Sequence, residues 1–537
     1  MLKLANIYPS LLFIFGVSMS AFKQLVDHSK VISNFKHLSA ISSWDQATVM
    51  PSGGNHSRSE AMAQLSVHIH SLQTAPMLGE WFDKAEQQPL DEQQKATLRE
   101  MKREWQQATV LPQDLVEAKS LAGFKCEHAW RTQRKENDWQ GFEKNWAEVV
   151  TLSQQEAQIR AEATGLSAYD AMLDLYEAGT SSASLDNLFS DVKTWLPELI
   201  DQVIEKQSHE SIIAPSGHFP RETQKQLGLD VMKLLQFDFD HGRLDESVHP
   251  FCGGVPSDVR ITTRYDESEF VQSLMGIVHE TGHARYEQGL PKDLAGTPAG
   301  DPRSMGIHES QSLFFEMQVA RSGAFIDHLA ALAQKHFASH DAKLMSKANL
   351  QKLYTRVKKD FIRVDADELT YPAHVILRYE IEKALINGNI KHTDVPELWD
   401  TKMQAYLGLS TKDNYRNGCM QDIHWTDSQS SNVTCKSHNY KNGCMQDIHW
   451  CDGSFGYFPS YTLGAMYAAQ FMAAMKKTID VDAAIRTGEL TPIFTWLSDN
   501  IWSKGSLLTT DELVKQATGE ILNPSHFKAH LESRYLR

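Results

Sequence analysis

Apolar residues recur at three- and four-residue steps along most of this chain, and that period restricts it to helices packed on helices. Stretches such as ATLREMKREWQQA and LDNLFSDVKTWLPELIDQVIEK carry the pattern from about Ala21 to Lys206. Breaks fall where Pro and Gly cluster, as at Met50–Gly54. Strand-like alternation appears in one place, HPFCGGVPSDVRITTRYDES at His249–Ser268. There a Gly-Gly-Val-Pro turn leads into Val259, Ile261, Thr263 and Tyr265. Helical spacing resumes at Glu269. The expected fold is mainly α, with one small antiparallel β-sheet. At 537 residues, 41% of them hydrophobic, the chain can bury a sizeable core.

Charge and cysteine usage narrow the function classes. The 53 basic and 68 acidic residues give a formal charge of −15, and no basic run offsets it. This argues against nucleic acid and an anionic membrane surface as partners. Six cysteines without a CxxC pair read as free thiols in a reducing compartment.

At the N-terminus, MLKLANIYPSLLFIFGVSMSAF holds a short apolar run, Leu11 to Val17, interrupted upstream by Pro9 and Ser10. It is too short to span a membrane. It reads either as a signal peptide cleaved near Ser20 or as an extension ahead of a translation start at Met19. MSAFKQLVDHSKVISNF opens directly into an amphipathic helix, which favours the internal start. The expected organisation is an extension over 1–18 and a single catalytic body over 19–537. A cytoplasmic location follows, or a periplasmic or secreted one if 1–20 is a true signal peptide.

The strongest chemical signal is SLMGIVHETGHARYEQG, which contains His279-Glu280-Thr281-Gly282-His283. Residues four apart on a helix share a face, so both imidazoles can reach one ion at ~2.1 Å. Glu280 sits beside them, where its carboxylate can deprotonate a water. Leu274, Met275, Ile277 and Val278 mark this helix as buried, and polar groups there would be costly without a ligand. A third protein ligand is expected from GDPRSMGIHESQSLFFEMQVARSG, whose candidates are His308, Glu309 and Glu316. Glu309 is favoured, because it opens a second apolar helix 26 residues after His283. His308 reads as a group supporting a metal ligand, a substrate contact or a turn residue, and Glu316 as a supporting or surface carboxylate.

With these residues the chain closely resembles the carboxypeptidase Taq family of zinc metallocarboxypeptidases. Further matches are His249-Pro250-Phe251, Asp258-Val259-Arg260-Ile261-Thr262, His308-Glu309-Ser310-Gln311, IRVDAD (Ile362 to Asp367) and GCMQDIHW. SSWDQATVMP and AYDAMLDLYEAG also look like the family. The resemblance implies a saddle-like helical body with a deep groove, often a homodimer. It implies broad-specificity removal of residues from peptides with a free C-terminus. It also implies one divalent ion per chain, usually Zn2+ and sometimes Co2+.

A carboxypeptidase must bind the terminal carboxylate, and a guanidinium fork matches two oxygens. By family precedent Arg363 is that group; the structural reading pairs it with Asp365 or Asp367, and Arg260 is the competitor. The histidine of QDIHW fits as an oxyanion donor. Tyr457, in SFGYFPSY, is a further candidate donor. RYEIEKALING (Arg378–Gly388) reads as a solvated face or an ion-pair network, and the C-terminal HLESRYLR as helix packing.

The element NGCMQDIHW is written twice, at Asn417–Trp425 and Asn442–Trp450, within a tandem duplication around 413–452. One slot in the groove admits one copy. The second runs directly on toward Tyr457, which favours His449 over His424. Two rivals remain: a zincin oligopeptidase or endopeptidase with the same metal site, and an inactive, metal-free binding protein disrupted by the duplication.

Overall fold

The computed structural model describes residues 19–247, 250–420, 450 and 453–537. Helices α1 (Ala21–Thr48), α2 (Asn55–Gln73), α3 (Met77–Glu86) and α4 (Glu92–Thr109) open the chain. The Ser20 hydroxyl caps α1 by accepting from Lys23 N, and Asp91 with Gln94 forms a capping box on α4. Leu25, Leu78, Phe82, Leu98 and Met101 make a small core of their own. Next come α5 (Gln113–Gln133) and α6 (Trp139–Thr164), which pack side by side, and then α7 (Ala168–Leu173), α8 (Ser182–Ser208) and α9 (Arg221–Leu234).

The sheet has three strands, β1 (Gly242–Glu246), β2 (Cys252–Val255) and β3 (Asp258–Thr263), in the order β1-β3-β2. β2 and β3 are antiparallel across the Gly-Gly-Val-Pro turn, as expected, whereas β1 runs parallel to β3. The sheet is therefore mixed. β1 escapes sequence patterning because GRLDE buries only Leu244 and pairs Arg243 with Asp245. Leu244, Val259, Ile261 and Tyr265 pack with Met232 of α9 and with Ile277 and Ala284 of α10 (Val271–Gly289), so the sheet backs the HETGH helix. Arg260 turns the other way: it forks onto Asp258 at 2.8–2.9 Å and lies 4.3 Å from the Trp44 ring of α1.

Helix α11 (Met305–Leu313) continues as a π-helix over Phe314–Ala320. After it come α12 (Gly323–His336), α13 (Lys347–Tyr354), α14 (Tyr371–Ile386), α15 (Val395–Leu407) and α16 (Pro459–Met475). The last four are α17 (Val481–Thr487), α18 (Thr491–Asn500), α19 (Thr510–Thr518) and α20 (Ser525–Tyr535). α16 is buried on nearly every side and forms the axis of the main core. α14 corrects the reading of RYEIEKALING as a solvated face. Arg378 and Glu382 are fully buried, Arg378 beneath the Trp399 ring at 4.4 Å. The ion-pair network does exist, but at Glu380, which bridges Lys193 and Lys402. A groove of about 1,120 Å³ opens between α1, α2 and the body, lined among others by Lys36, His37, Gly254 and Glu287. No helix among the described residues is long and apolar enough to cross a membrane.

Candidate active site

α10 presents His279 and His283 one turn apart, and α11 crosses beside them with Glu309. Their ligand atoms all lie within 4.8 Å of one another. His279 Nε2 stands 4.0 Å from Glu309 Oε1, and His283 Nε2 stands 3.5 Å from Glu309 Oε2. These spacings are long for hydrogen bonds and close to the edge, ~3.4 Å, of a tetrahedron of N and O ligands around Zn2+. The donor set therefore fits a divalent ion. It brings together the three residues the sequence proposed as metal ligands, with Glu280 buried beside them.

Two glycines set the spacing of the helices. A Cβ on Gly282 would lie 2.6 Å from Gln311 O and from the Ser312 Cα, so α10 and α11 cross backbone to backbone within HETGH itself. A Cβ on Gly464 of α16 would lie 2.7 Å from Glu309 Cγ. Glu309 is thus pressed against α10 from behind. Gln311 adds a fixed point by accepting the Trp502 indole N–H at 2.8 Å.

The π-helix carries the next carboxylate inward. Glu316 stands seven residues beyond Glu309, two turns along the same face, and its Oε2 lies 2.8 Å from His279 Nδ1. Arg321 grips the other oxygen at 2.5 Å. A carboxylate on Nδ1 leaves Nε2 of His279 as the lone-pair nitrogen that a metal requires. Of the two readings of Glu316, supporting or surface, the structure has the buried one: its carboxylate lies beneath His279. π-turns recur where a helix must aim a functional group. The signal available in the sequence was the Glu309–Glu316 spacing, which puts both carboxylates on the face that meets α10.

Metal-free, the cluster is electrostatically divided. Burial alone would lower the His279 pKa, but the Glu316 hydrogen bond and the charges of Glu309, Glu316 and Glu280 raise it to about 10. His283 goes the other way, to about 4, by burial and the neighbouring His308. Burial and the Glu309 and Glu316 charges push Glu280 up to about 7. Burial opposes ionisation of Glu316, yet Arg321 and His279 hold it down at about 2. His308 stacks on the His283 ring at 4.5 Å and lies 2.9 Å from Glu287, so it braces His283 from the side of that carboxylate.

Arg363 is buried at the start of a 3-10 turn after α13. Its Nη1 donates to the Tyr371 hydroxyl at 2.8 Å, and its guanidinium lies 5.4 and 5.2 Å from the Phe458 and Tyr461 rings. Asp367, one of the two expected structural partners beside Asp365, instead accepts from the backbone N–H groups of Lys358, Leu369 and Thr370. Tyr461 and Gly464 are three residues apart on α16, so one turn of that helix touches both Arg363 and Glu309. Tyr457 is buried edge-on to Tyr176 at 5.1 Å and to Tyr461 at 5.3 Å, on the same aromatic wall.

His424, His449 and His249 lie outside the described residues. Of the repeat, the described parts are Asn417–Met420 of the first copy and Trp450 of the second. Both ends are seated in the core. Trp130 of α5 donates its indole N–H to Met420 O at 2.9 Å, and Trp146 of α6 does the same to Trp450 O at 2.9 Å. The Trp450 indole donates in turn to the buried Glu382.

The model of the family described as carboxypeptidase Taq (M32) metallopeptidase matches residues 24–431 and 428–535; the two parts meet between the copies of the repeat. Thermostable carboxypeptidase 1 of Thermus thermophilus is 34% identical over 532 residues, covering 96% of this chain and 98% of that protein. Carboxypeptidase 1 of Bacillus subtilis is 35% identical, with 96% and 97% covered. Among solved structures, Trypanosoma cruzi metallocarboxypeptidase 1 superposes with a TM-score of 0.90 at 43% identity, covering 97% of this chain and 100% of that one. The M32 carboxypeptidase of Deinococcus radiodurans R1 gives 0.87 at 27% identity, with 96% and 99% covered.

Proposed function

Because the chain belongs to the carboxypeptidase Taq (M32) metallopeptidase family, we propose that it is a zinc-dependent carboxypeptidase of broad specificity. The observation that carries this reading is the convergence of His279, His283 and Glu309 on one point, with Glu280 on the same helix. A bound Zn2+ or similar divalent ion supplies Lewis acidity to the scissile carbonyl and to the attacking water.

The remaining work falls to the chain's own side chains. Glu280, buried on the helix that carries both histidines, serves as the base. It takes the proton of the attacking water and returns one to the leaving amine. Glu316 keeps His279 in one tautomer and orientation. Arg363, held flat by Tyr371, Phe458 and Tyr461, binds the terminal carboxylate of the peptide. Its proximity to Glu309 across one turn of α16 suits an enzyme that cuts the last peptide bond. Tyr457 and the histidine of the repeat, His449 in our reading, donate to the developing oxyanion.

The same reading makes the enzyme a cytoplasmic homodimer with one ion per chain, acting on peptides with free C-termini. Release of free amino acids from an unblocked peptide should vanish with chelator and return with zinc. Amidation of the substrate's C-terminus should abolish turnover; cleavage retained on the amide would make the protein an endopeptidase instead.

A further inference from the structure

Glu177 is a carboxylate to which neither the metal centre nor substrate binding assigns a task. It follows Tyr176 after α7 and is 0% exposed. Its Oε1 accepts from Gly306 N in the first turn of α11 and from the Ser460 hydroxyl in the first turn of α16, the latter at 2.7 Å. The neighbouring Tyr176 carbonyl accepts from Met305 N at 3.1 Å. A Cβ on Gly306 would sit 2.9 Å from the same carboxylate oxygen, so any larger residue there would push the carboxylate back. One side chain therefore caps α11 through the Gly306 N–H and ties it to α16 through the Ser460 hydroxyl.

Those two helices meet at Glu309. It lies three residues beyond Gly306 on α11, and Gly464, which presses on it, lies four residues beyond Ser460 on α16. A slip of either helix at its first turn is carried to that contact. We propose that Glu177 is a positioning residue of the metal centre, joining α11 to α16 so that Glu309 keeps its distance from His279 and His283. The proposal rests on Glu309 being a metal ligand. Burial pushes the Glu177 carboxyl up to about 7 against the opposing pull of Ser460, Gly306, Ser304 and Arg303. An acceptor oxygen at this point is therefore more important than a full negative charge.

The test is the zinc dissociation constant of the metal-free full-length protein, measured by competition with a chromogenic chelator. Glu177→Leu should weaken zinc binding by about 10- to 100-fold, as loss of a group supporting a ligand does. Glu177→Gln, which keeps shape and an acceptor, should stay within about threefold of wild type on the same grounds. A purely structural cap would lower the melting temperature of metal-free and zinc-loaded protein alike and leave the constant unchanged, which would overturn the proposal. So would a Gln variant as impaired as the Leu variant. If Glu177→Leu does not fold, Ser460→Ala decides: removing one of the two donors should weaken zinc several-fold, and no change refutes the clamp. Glu309→Ala, run in parallel, separates the two layers. Unchanged zinc binding there defeats the ligand assignment, whereas zinc lost in Glu309→Ala but kept in Glu177→Leu defeats the clamp alone.

Discussion

The pocket around His279 and the pocket around Arg363 are both buried and polar, and they are one turn apart along α16. Their charge is satisfied in opposite ways. Around His279 three carboxylates, Glu280, Glu309 and Glu316, crowd two imidazoles, and the pKa values of the two histidines are pushed in opposite directions. Around Arg363 a guanidinium is laid against the faces of Phe458 and Tyr461 and steadied by the Tyr371 hydroxyl. The first environment is suited to a cation; the second, in the proposed reading, receives the planar carboxylate at the end of a peptide. Metal affinity and C-terminal recognition should therefore be separable by mutation, although the two pockets share a helix.

Glu280→Gln should produce the largest effect. Loss of a general base lowers kcat by about a thousandfold, while zinc content, measured by atomic emission, stays stoichiometric. Arg363→Ala should leave zinc alone and reduce kcat/KM by about a hundredfold, mainly through KM, since a charge-assisted fork contributes about 1.5–3 kcal/mol. Arg363→Lys should recover only part of this, a point charge lacking the fork. An Arg363 variant that lost zinc would merge the two pockets into one unit. Glu316→Gln should do the reverse, weakening zinc about 10- to 100-fold in chelator competition and leaving KM for the loaded enzyme nearly unchanged.

The smallest effect is one of pH. The Glu177 carboxyl stands at about 7 in the fold against an ordinary 4.5. Folding thus disfavours its charged form: its stability contribution is intact below about 4.5 and lost as pH rises through 7. Glutamine does not titrate. The melting temperature of Glu177→Gln relative to wild type should therefore be higher at pH 8 than at pH 5, by about a few degrees. An equal difference at both values would show that burial does not hold this acid neutral.

What could be read from the sequence follows the range of the interactions. His279, Glu280 and His283 are legible because a helix puts residues four apart on one face, whatever surrounds it. Glu309 is legible because its apolar helix has one side to bury. Glu316 is less so, since its aim depends on a π-turn set by packing around Phe314–Ala320. The role of Gly282 needs the partner helix to be seen, as a glycine inside HETGH looks like a neutral spacer until Ser312 is found against it. β1 is hidden by its polar pattern. α14 misleads for the converse reason: charged residues at helical spacing suggest water, but Arg378 has Trp399 to cover it and Glu382 has Tyr169 and Trp450 to satisfy it.

The seating of the repeat has one last consequence. The core holds Met420 from the first copy and Trp450 from the second, and the copies start 25 positions apart with nine identical residues each. Excising any 25-residue window that begins between 417 and 426 writes one and the same polypeptide, in which Met420 runs through a single Gln-Asp-Ile-His into the tryptophan. In that polypeptide the choice between His424 and His449 disappears, because one histidine stands for both. Trp130 and Trp146 thus hold one backbone carbonyl from each copy, and the shortened chain would offer both carbonyls within a single copy.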